Sequence, residues 1–417
     1  MIQRKMTLKP ALQIKPPEWL VCESSQKLMT LLGGFDDAPK ACFVGGCVRN
    51  HLMGVPVGDF DVATVYTPDV VQEKLEAAGV KVIPTGIEHG TVTAVFDGGF
   101  VYEITTLRKD VETDGRRAVV AFSDSWVEDA ERRDFTFNTL LMDGHGRVYD
   151  PVERGLEDLE AGRVIFVGDP AARIQEDHLR ILRYFRFWAL YGKADLDAEV
   201  LAVCEAFSDK IEGLSRERVT QEVMKIISSY RLADVLSLFK KYNVLPSVSN
   251  ILISPEFIEK ITKLQKLLDI NQLDDCLLRL LAVDRDDYAR VRSLFSVLRL
   301  SKKQEKFLVQ VADVMNRKWI VSEQKLKEVA YYEGRDVSLG WLQCSYAAGG
   351  VDFDVCCNLY SVISDWQIPS FPISGRDLMA QGMAEGAALG EVLRDVEAWW
   401  VSQGFKPSRD ECLTRVY

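Results

Sequence analysis

The chain has 417 residues, of which 47% are hydrophobic and 27% charged, and its formal net charge is −11. A protein of this length has more than one hydrophobic core, so about two to four modules are expected. No apolar run approaches the roughly 18 residues of a membrane span, and the N-terminus lacks the apolar segment of a secretory signal. None of the nine cysteines forms a Cys-x-x-Cys pair, which argues against zinc or disulfide frameworks and favours a cytoplasmic protein with reduced thiols. Because the net charge repels polyanions, a nucleic-acid partner requires a local basic surface.

The first chemical motif runs from Gly45-Gly46 through Arg49 to Asp59 and Asp61. On a strand, side chains two residues apart share a face, so the two carboxylates are expected to lie together, where bound cations would relieve their repulsion. Mg²⁺ prefers carboxylate oxygens and bridges them to substrate phosphates, and paired glycines let backbone N–H groups approach a polyphosphate. The combination predicts metal-assisted phosphoryl or nucleotidyl transfer, with solvated turn residues as the alternative.

Short β-rich runs separated by turns occupy residues 40–150, and this pattern predicts a small mixed sheet. Gly98-Gly99 stands between two of the runs and predicts a hairpin turn. The predicted strands are Val80–Ile83, Thr91–Phe96, Phe100–Thr106, Val119–Phe122, Phe135–Met142 and Arg147–Tyr149.

Two arginine-rich motifs follow. The first contains Arg132-Arg133-Asp134 and Asn138; arginine binds triphosphate oxygens well because it stays charged and can bind them bidentately, but a surface ion cluster is an equally good interpretation. The second, Glu176–Phe187, carries Asp177, Arg180, Arg183 and Arg186. Asp177 and Arg180 are three apart and therefore neighbours on the predicted helix, and the alternative is a helical salt bridge worth about 0.2–0.5 kcal/mol.

From about residue 151 the apolar pattern has the helical period, so the chain is predicted to be an α+β protein with an almost all-helical remainder. A basic stretch, Tyr288–Phe307, includes Arg299, Lys302, Lys303 and Lys306 and is compatible with RNA binding or with a solvated helix face. The predicted helices are Ile174–Tyr191, Ala198–Ile211, Arg216–Ser229, Ala233–Phe239, Phe257–Leu268, Lys303–Val314 and Ala387–Ser402.

Together these motifs resemble the class II tRNA nucleotidyltransferases, or CCA-adding enzymes, and the related bacterial poly(A) polymerases of the polymerase-beta-like superfamily. The resemblance implies an N-terminal extension (1–24), a nucleotidyltransferase head (25–145), a neck (146–215), and a helical body (216–330) and tail (331–417) that bind tRNA. The tail run Gly375–Gly390 resembles alphaproteobacterial members. The matching segments are Gly45–Thr64, Arg132–Leu140, Asp150–Leu159, Glu176–Phe187 and Leu214–Val219.

The resemblance also implies residue roles. Asp59 and Asp61 would hold two Mg²⁺ ions, and Glu103 stands where a third acidic catalytic residue often lies. The implied partners are tRNA, CTP and ATP, with no membrane and no protein partner. The residues that would bind the nucleotide are Gly45, Gly46, Arg49, Arg133, Asp134, Asn138, Asp177, Arg180, Arg183 and Arg186.

Asp177 and Arg180 would read the base. Cytosine and adenine each present an amine donor beside a ring-nitrogen acceptor, which a carboxylate and a guanidinium can match. Uracil and guanine present the opposite polarity, and a bidentate match of this kind discriminates by about 1–3 kcal/mol. The protein could therefore select C and A without a nucleic-acid template.

Two positions depart from the family pattern: Asn50 replaces the usual Asp and is expected to cap the following helix, and Thr139 replaces the usual Ala. None of the four histidines precedes an Asp, so no metal phosphohydrolase activity is expected. The close alternatives are a poly(A) polymerase or an enzyme that adds part of CCA. The choice between C and A is expected to involve a flexible segment, Asp110–Val120. A non-catalytic RNA-binding protein is the distant alternative.

Overall fold

A computed structural model describes residues 9–114, 117–250, 252, 254–270, 273–282 and 291–416, without the side chains of 110–114, 117–120, 273 and 274. The chain separates into two compact units, Met1–Leu214 with Tyr242–Val244, and Ser215–Lys241 with Leu245–Tyr417. The finer division into head, neck, body and tail stays a prediction. In the described part of the chain, no helix is long and apolar enough to cross a membrane.

The first unit contains the sheet. Its strands are β1 Pro10–Gln13, β2 Ala41–Val44, β3 Phe60–Thr64, β4 Lys81–Gly86, β5 Thr91–Val95, β6 Val101–Thr106, β7 Arg108–Asp114, β8 Arg117–Phe122, β9 Leu141–Met142 and β10 Arg147–Tyr149. Its helices are α1 Glu18–Val21, α2 Glu23–Leu31, α3 Gly46–Leu52, α4 Pro68–Ala77, α5 Trp126–Glu131, α6 Gly155–Ala161, α7 Pro170–Glu176, α8 Leu179–Tyr191 and α9 Ala198–Ala206.

The second unit is helical in its described residues. Its helices are α10 Arg216–Ile227, α11 Leu232–Lys241, α12 Pro246–Ser249, α13 Pro255–Leu267, α14 Leu273–Cys276, α15 Val291–Val297, α16 Lys302–Asn316, α17 Glu323–Tyr332, α18 Arg335–Ala347, α19 Phe353–Asp365, α20 Gly375–Ala380, α21 Ala387–Ser402 and α22 Arg409–Thr414. The expected α+β class is therefore confirmed.

The main sheet has the strand order β1-β10-β9-β2-β3-β6-β5-β4, and β7 pairs with β8 in a separate hairpin. All its neighbouring strands run antiparallel except β3 and β6, which are parallel. In that register Asp61 lies opposite Glu103, so both side chains leave the same face of the sheet. This one parallel pairing places two acidic residues side by side.

The hairpin predicted at Gly98-Gly99 is confirmed. It joins the antiparallel strands β5 and β6 through a short 3₁₀ turn, Asp97–Gly99. Gly98 and Gly99 have φ of 80° and 84°, a conformation that strongly favours glycine. The helix predicted over Ala387–Ser402 is confirmed as α21.

Two predicted elements are wrong at the points where polar side chains bind the backbone. The strand predicted over Phe135–Met142 is a 3₁₀ turn at Thr136–Asn138 followed by the short β9. The Asp134 carboxylate accepts the Phe135 N–H at 2.9 Å, and such local bonds compete with strand pairing.

The helix predicted over Ile174–Tyr191 is likewise two helices. Asp177, with φ −150° and ψ 101°, separates α7 from α8. Its carboxylate accepts the backbone N–H of Leu179 at 3.2 Å, so it supports the start of the second helix. The helix predicted over Ala198–Ile211 ends at Ala206, and a 3₁₀ segment, Ser208–Gly213, follows.

The segment Asp110–Val120 falls mostly in β7 and β8. Gly115, Arg116 and the side chains of the segment lie outside the described residues. Its predicted part in the choice between C and A therefore stays a prediction.

Candidate active site

Three acidic residues, Asp59, Asp61 and Glu103, lie close together in the first unit. Asp61 lies in β3 and Glu103 lies opposite it in β6. Asp59 was expected within the same strand as Asp61, but the strand begins at Phe60, so Asp59 is the exposed residue immediately before it. The cluster thus has one half-buried carboxylate, Asp61, between a strand partner and an exposed neighbour.

The electrostatics of this cluster favour a cation. Burial, followed by the charge of Glu103, raises the pKa of Asp61 from 3.8 to about 6, although Arg133 opposes this and Asp59 adds to it. A carboxylate in such surroundings is costly to ionise, and a bound cation would remove that cost.

The donor set fits a hard divalent ion that keeps other ligands. Among the described residues, no three His, Cys, Asp or Glu side chains enclose a metal position by themselves. Mg²⁺ commonly takes one or two carboxylates and completes its shell with water and substrate phosphates. Asp59, Asp61 and Glu103 match that donor chemistry.

A glycine turn stands beside the carboxylates. Gly45 precedes α3 with φ 69° and ψ −116°, a conformation that other residues rarely adopt. A Cβ atom built on Gly45 would lie 3.8 Å from Arg133 Nη1 and 3.7 Å from the carbonyl oxygen of Asn138. The first N–H groups of α3, which begins at Gly46, have no partners within the helix, so the turn places backbone donors beside a guanidinium.

Arg49 of α3 is buried in a polar network. Its guanidinium donates to Asn138 Oδ1 at 2.5 Å, to Asn50 Oδ1 at 2.8 Å and to the Tyr191 hydroxyl at 3.2 Å. Asn50 was expected to cap the helix, but it lies inside α3 and donates instead to the Pro56 carbonyl at 3.3 Å. A phosphate contact by Arg49 stays a prediction. In the structure its guanidinium links Asn138 to Asn50 and Tyr191.

The network continues into the segment Arg132-Arg133-Asp134, hereafter the RRD motif. Asn138 Nδ2 donates to Asp134 Oδ1 at 2.9 Å, and Arg183 Nε donates to Asp134 Oδ2 at 2.6 Å. Burial raises the cost of ionising Asp134, but Arg183, Asn138 and the backbone N–H of Phe135 outweigh it and hold the pKa of Asp134 below its usual value. The predicted contacts of Asp134 and Asn138 with a sugar remain untested.

Three guanidinium groups lie near the aromatic ring of Phe187 in α8. The distances from its ring centroid to the guanidinium carbons of Arg49, Arg183 and Arg186 are 5.0, 5.3 and 4.3 Å. Such contacts are favourable for cations near an aromatic ring. Neither Phe187 nor Tyr191 was given a role in the sequence analysis, because helical periodicity does not distinguish a core aromatic ring from one that contacts several arginines.

Asp129 is a second residue that the sequence analysis missed. It is 3% exposed and binds both arginines of the RRD motif. Its Oδ1 accepts from Arg132 Nε at 2.9 Å, and its Oδ2 accepts from Arg133 Nη2 at 2.9 Å. Its spacing of three and four residues before the two arginines was the available signal.

Asp177 and Arg180 do not share a helix as predicted. Asp177 lies at the break between α7 and α8, and the Arg180 backbone N–H donates to its carbonyl oxygen at 2.9 Å. The Arg180 guanidinium donates to the Glu176 carboxylate at 2.7 Å and to the carbonyl oxygens of Arg173 and Arg132 at 2.9 and 3.1 Å. Base reading by this pair stays a prediction.

The four basic residues that were expected to bind RNA, Arg299, Lys302, Lys303 and Lys306, lie around the start of α16. Lys302, Lys303 and Lys306 are exposed, and their helical positions span an arc of about 100°. Arg299 forms an ion pair with Glu217. The three lysines therefore share one side of the helix, which the sequence alone could not establish.

The chain is similar to several known proteins. A family model described as the Poly A polymerase head domain matches residues 41–165. The chain is 33% identical to human "CCA tRNA nucleotidyltransferase 1, mitochondrial" over 386 residues, which span 89% of this chain and 85% of the relative. It is 32% identical to the "CCA-adding enzyme" of Streptococcus gordonii over 387 residues, which span 90% and 92% of the two chains.

Solved structures share the fold. The Bacillus stearothermophilus CCA-adding enzyme in complex with CTP matches with a TM-score of 0.67 at 24% identity, and the match covers 91% of this chain and 92% of that chain. The Thermotoga maritima CCA-adding enzyme complexed with tRNA matches with a TM-score of 0.62 at 17% identity, over 95% of each chain. A particular closeness to alphaproteobacterial members stays a prediction.

Removing the Asp61 charge should stabilise the metal-free protein. Because the folded-state pKa of Asp61 is raised from 3.8 to about 6, its ionisation lowers stability as the pH rises through that interval. In the presence of a chelator at about pH 8, Asp61→Asn should raise the thermal midpoint of the first unit by a few degrees. The gain should vanish well below pH 3.8, where the carboxyl is protonated in both states.

The matched control is Asp143→Asn. Asp143 is also buried, but its carboxylate accepts hydrogen bonds from Arg147 and Tyr149, so this change should lower the midpoint. Scanning calorimetry at several pH values measures both variants. A thermal midpoint of Asp61→Asn at or below that of the parent protein at pH 8 would refute the electrostatic account.

Proposed function

The chain belongs to the CCA tRNA nucleotidyltransferases, and from this membership we propose that it adds CCA to the 3′ end of tRNA from CTP and ATP. The addition needs no nucleic-acid template. The observation that carries the proposal is the meeting of Asp61, Glu103 and Asp59 beside the Gly45 turn and Arg133. Three carboxylates next to a glycine turn and an arginine suit metal-assisted nucleotidyl transfer.

The reaction depends on divalent metal, and we infer that two Mg²⁺ ions are bound through Asp59 and Asp61 with Glu103 adjacent. When bound, the ions supply activation of the RNA 3′-hydroxyl and neutralise charge on the triphosphate. Asp59 is exposed and accessible to the primer end, whereas Asp61 is fixed within β3. The protein thus contributes one rigid and one accessible ligand.

Arginines and backbone donors hold the nucleotide. Arg133 faces the Gly45 turn, where its charge and the N–H groups at the start of α3 complement the triphosphate. Arg183 and Arg186 converge with Arg49 on Phe187, which adds a local positive field to an otherwise acidic protein. The field offsets the cost of bringing a polyanion to a cluster of carboxylates.

Selection of C and A rests on Asp177 and Arg180. Arg180 donates to the Glu176 carboxylate and to two backbone carbonyls, so its guanidinium is held in one orientation before a base arrives. A pre-oriented donor costs less entropy on binding than a mobile one. Among the described residues these bonds use three of the five N–H groups of the guanidinium, which leaves donors for the ring nitrogen of a base.

The closest alternative is a poly(A) polymerase or an enzyme that adds only CC or A. One observation favours keeping it, because the family model that matches residues 41–165 is described as a Poly A polymerase head domain. Both activities use the same carboxylates, so product length and nucleotide choice must decide between them. A non-catalytic RNA-binding role would not require the carboxylates of Asp59, Asp61 and Glu103 to lie close together.

The direct test uses tRNA that ends before CCA, with Mg²⁺ and each NTP singly and in combination. CTP alone should add two residues, CTP with ATP should complete CCA and stop, and UTP and GTP should be poor substrates. Asp59→Ala and Asp61→Ala should abolish addition while tRNA binding survives, because the metal ligands are lost and the RNA is held elsewhere. Unlimited A addition would instead indicate a poly(A) polymerase, and activity within tenfold of the parent in either variant would refute the metal assignment.

Arg180→Ala tests the choice of base. It should slow addition and also raise incorporation of UTP relative to CTP, by about tenfold given the 1–3 kcal/mol of a bidentate match. The measurement is kcat/KM for each NTP. Arg163→Ala is the control, because this arginine binds Glu157 and Asp158 outside the candidate site and should leave selectivity unchanged. A slower Arg180→Ala variant with intact selectivity would contradict the templating role.

We propose that the α16 lysines bind the RNA backbone. Lys302 and Lys303 occupy the first turn of the helix, where the helix dipole disfavours a cation by about 0.3–1 kcal/mol. The three lysines are exposed on one side of the N-terminal end of α16, where the helix dipole gives them no stabilisation. They form the kind of local positive surface that an acidic protein needs to bind a polyanion.

Replacing Lys302, Lys303 and Lys306 with Ser should raise the KM for tRNA and flatten its salt dependence, because fewer counterions are released on binding. The kcat at saturating tRNA should change little. The control is the triple replacement of Lys260, Lys263 and Lys266, which removes the same charge from α13. If both triple variants showed the same salt slope, the α16 surface would not be the binding site.

A further inference from the structure

The carboxylate of Asp129 holds two neighbouring guanidinium groups on separate oxygens. Arg132 directs Nε and Nη2 to Oδ1, at 2.9 and 2.8 Å. Arg133 directs Nε and Nη2 to Oδ2, at 3.2 and 2.9 Å. Oδ1 also accepts the backbone N–H of Arg108 at 3.2 Å, at the start of β7. One side chain thus fixes two arginines and one end of the β7–β8 hairpin.

This cluster is buried and keeps a net positive charge. Asp129 is 3% exposed, and the two arginine side chains are 21% and 22% exposed. Burial opposes ionisation of Asp129, but Arg133 and Arg132 outweigh it and hold the pKa of the carboxyl below its usual value. One negative and two positive charges leave a surplus of one positive charge, which a bound anion can complete.

The way in which Asp129 binds Arg133 determines which guanidinium nitrogen of Arg133 stays available. Within the part of the chain that the structure describes, the Arg133 guanidinium donates only to Asp129, through Nε and Nη2. Its remaining nitrogen, Nη1, is the one that lies 3.8 Å from the Cβ position of Gly45. The orientation is therefore dictated by Asp129, and it turns the Nη1 group toward the glycine turn.

We propose that Asp129 is a positioning residue for the nucleotide triphosphate, acting through Arg133 and making no contact with substrate itself. This inference rests on the proposed function for the identity of the anion. A neutral amide at position 129 would present its NH₂ group to one guanidinium and would remove the negative charge from both, so Arg133 would be held less firmly while keeping its own charge.

A cycle of four proteins tests the proposal: the parent, Asp129→Asn, Arg133→Met and the double variant. Equilibrium dialysis with CTP and Mg²⁺ gives the dissociation constant, and steady-state assays give KM for CTP, ATP and tRNA. Asp129→Asn should weaken CTP binding about tenfold or more, since hydrogen bonds to charged groups are strong. The KM for tRNA should stay within about twofold of the parent value.

The double variant separates positioning from stability. If Asp129 acts through Arg133, adding Asp129→Asn to Arg133→Met should weaken CTP binding by less than about twofold further. Asp143→Asn is the matched control, because Asp143 is an equally buried partner of an arginine, Arg147. It should lower thermal stability without changing the CTP dissociation constant.

Additive losses in the double variant, or an equal rise in the KM for tRNA, would overturn the proposal. If Asp129→Asn fails to fold, the same cycle is run with Asp129→Glu, which keeps the charge but displaces it and should show a smaller loss of the same kind. CTP binding by a parent protein that adds no nucleotide to tRNA would overturn the proposed function and leave the dialysis cycle valid.

Discussion

A chain of polar side chains joins helix α3 of the first unit to helix α8. Arg49 binds Asn138, Asn138 binds Asp134, and Asp134 binds Arg183 of α8. Buried polar groups of this kind are stabilising only when every partner is present, and removing one leaves a buried charge uncompensated at a cost of about 3–5 kcal/mol. The same four residues were expected to contact the nucleotide, so the groups that hold the fold together would also shape the proposed binding site.

Charge balance around the site follows from this constraint. Asp134 and Asp129 are ionised because arginines surround them, whereas Asp61 has carboxylate neighbours and a raised pKa. The first unit therefore has one group of carboxylates that arginines surround, at Asp129 and Asp134, and another group whose neighbours include further carboxylates, at Asp61. A nucleotide with its metal ions complements both sides at once, since the phosphates suit the arginines and the cations suit the carboxylates.

Sequence reasoning recovered the elements that depend on local patterns and lost those that depend on tertiary partners. The hairpin at Gly98-Gly99 follows from turn chemistry, and the acidic pair follows from motif spacing. The pairing of Glu103 with Asp61 requires the parallel contact of β3 with β6, which no local pattern encodes. The break at Asp177 and the turn after Asp134 were missed because a carboxylate that binds a nearby backbone N–H overrides helical or strand periodicity.

The central claim is that one nucleotide site spans the carboxylates, Arg133 and the start of α8. A crystal structure of the protein with CTP and Mg²⁺ tests it most directly. The account predicts metal at Asp59 and Asp61, triphosphate oxygens at Arg133 and the Gly45 turn, and the cytosine edge facing Asp177 and Arg180. A cytosine ring bound away from α8, with no hydrogen bond from Arg180 to the base, would contradict it.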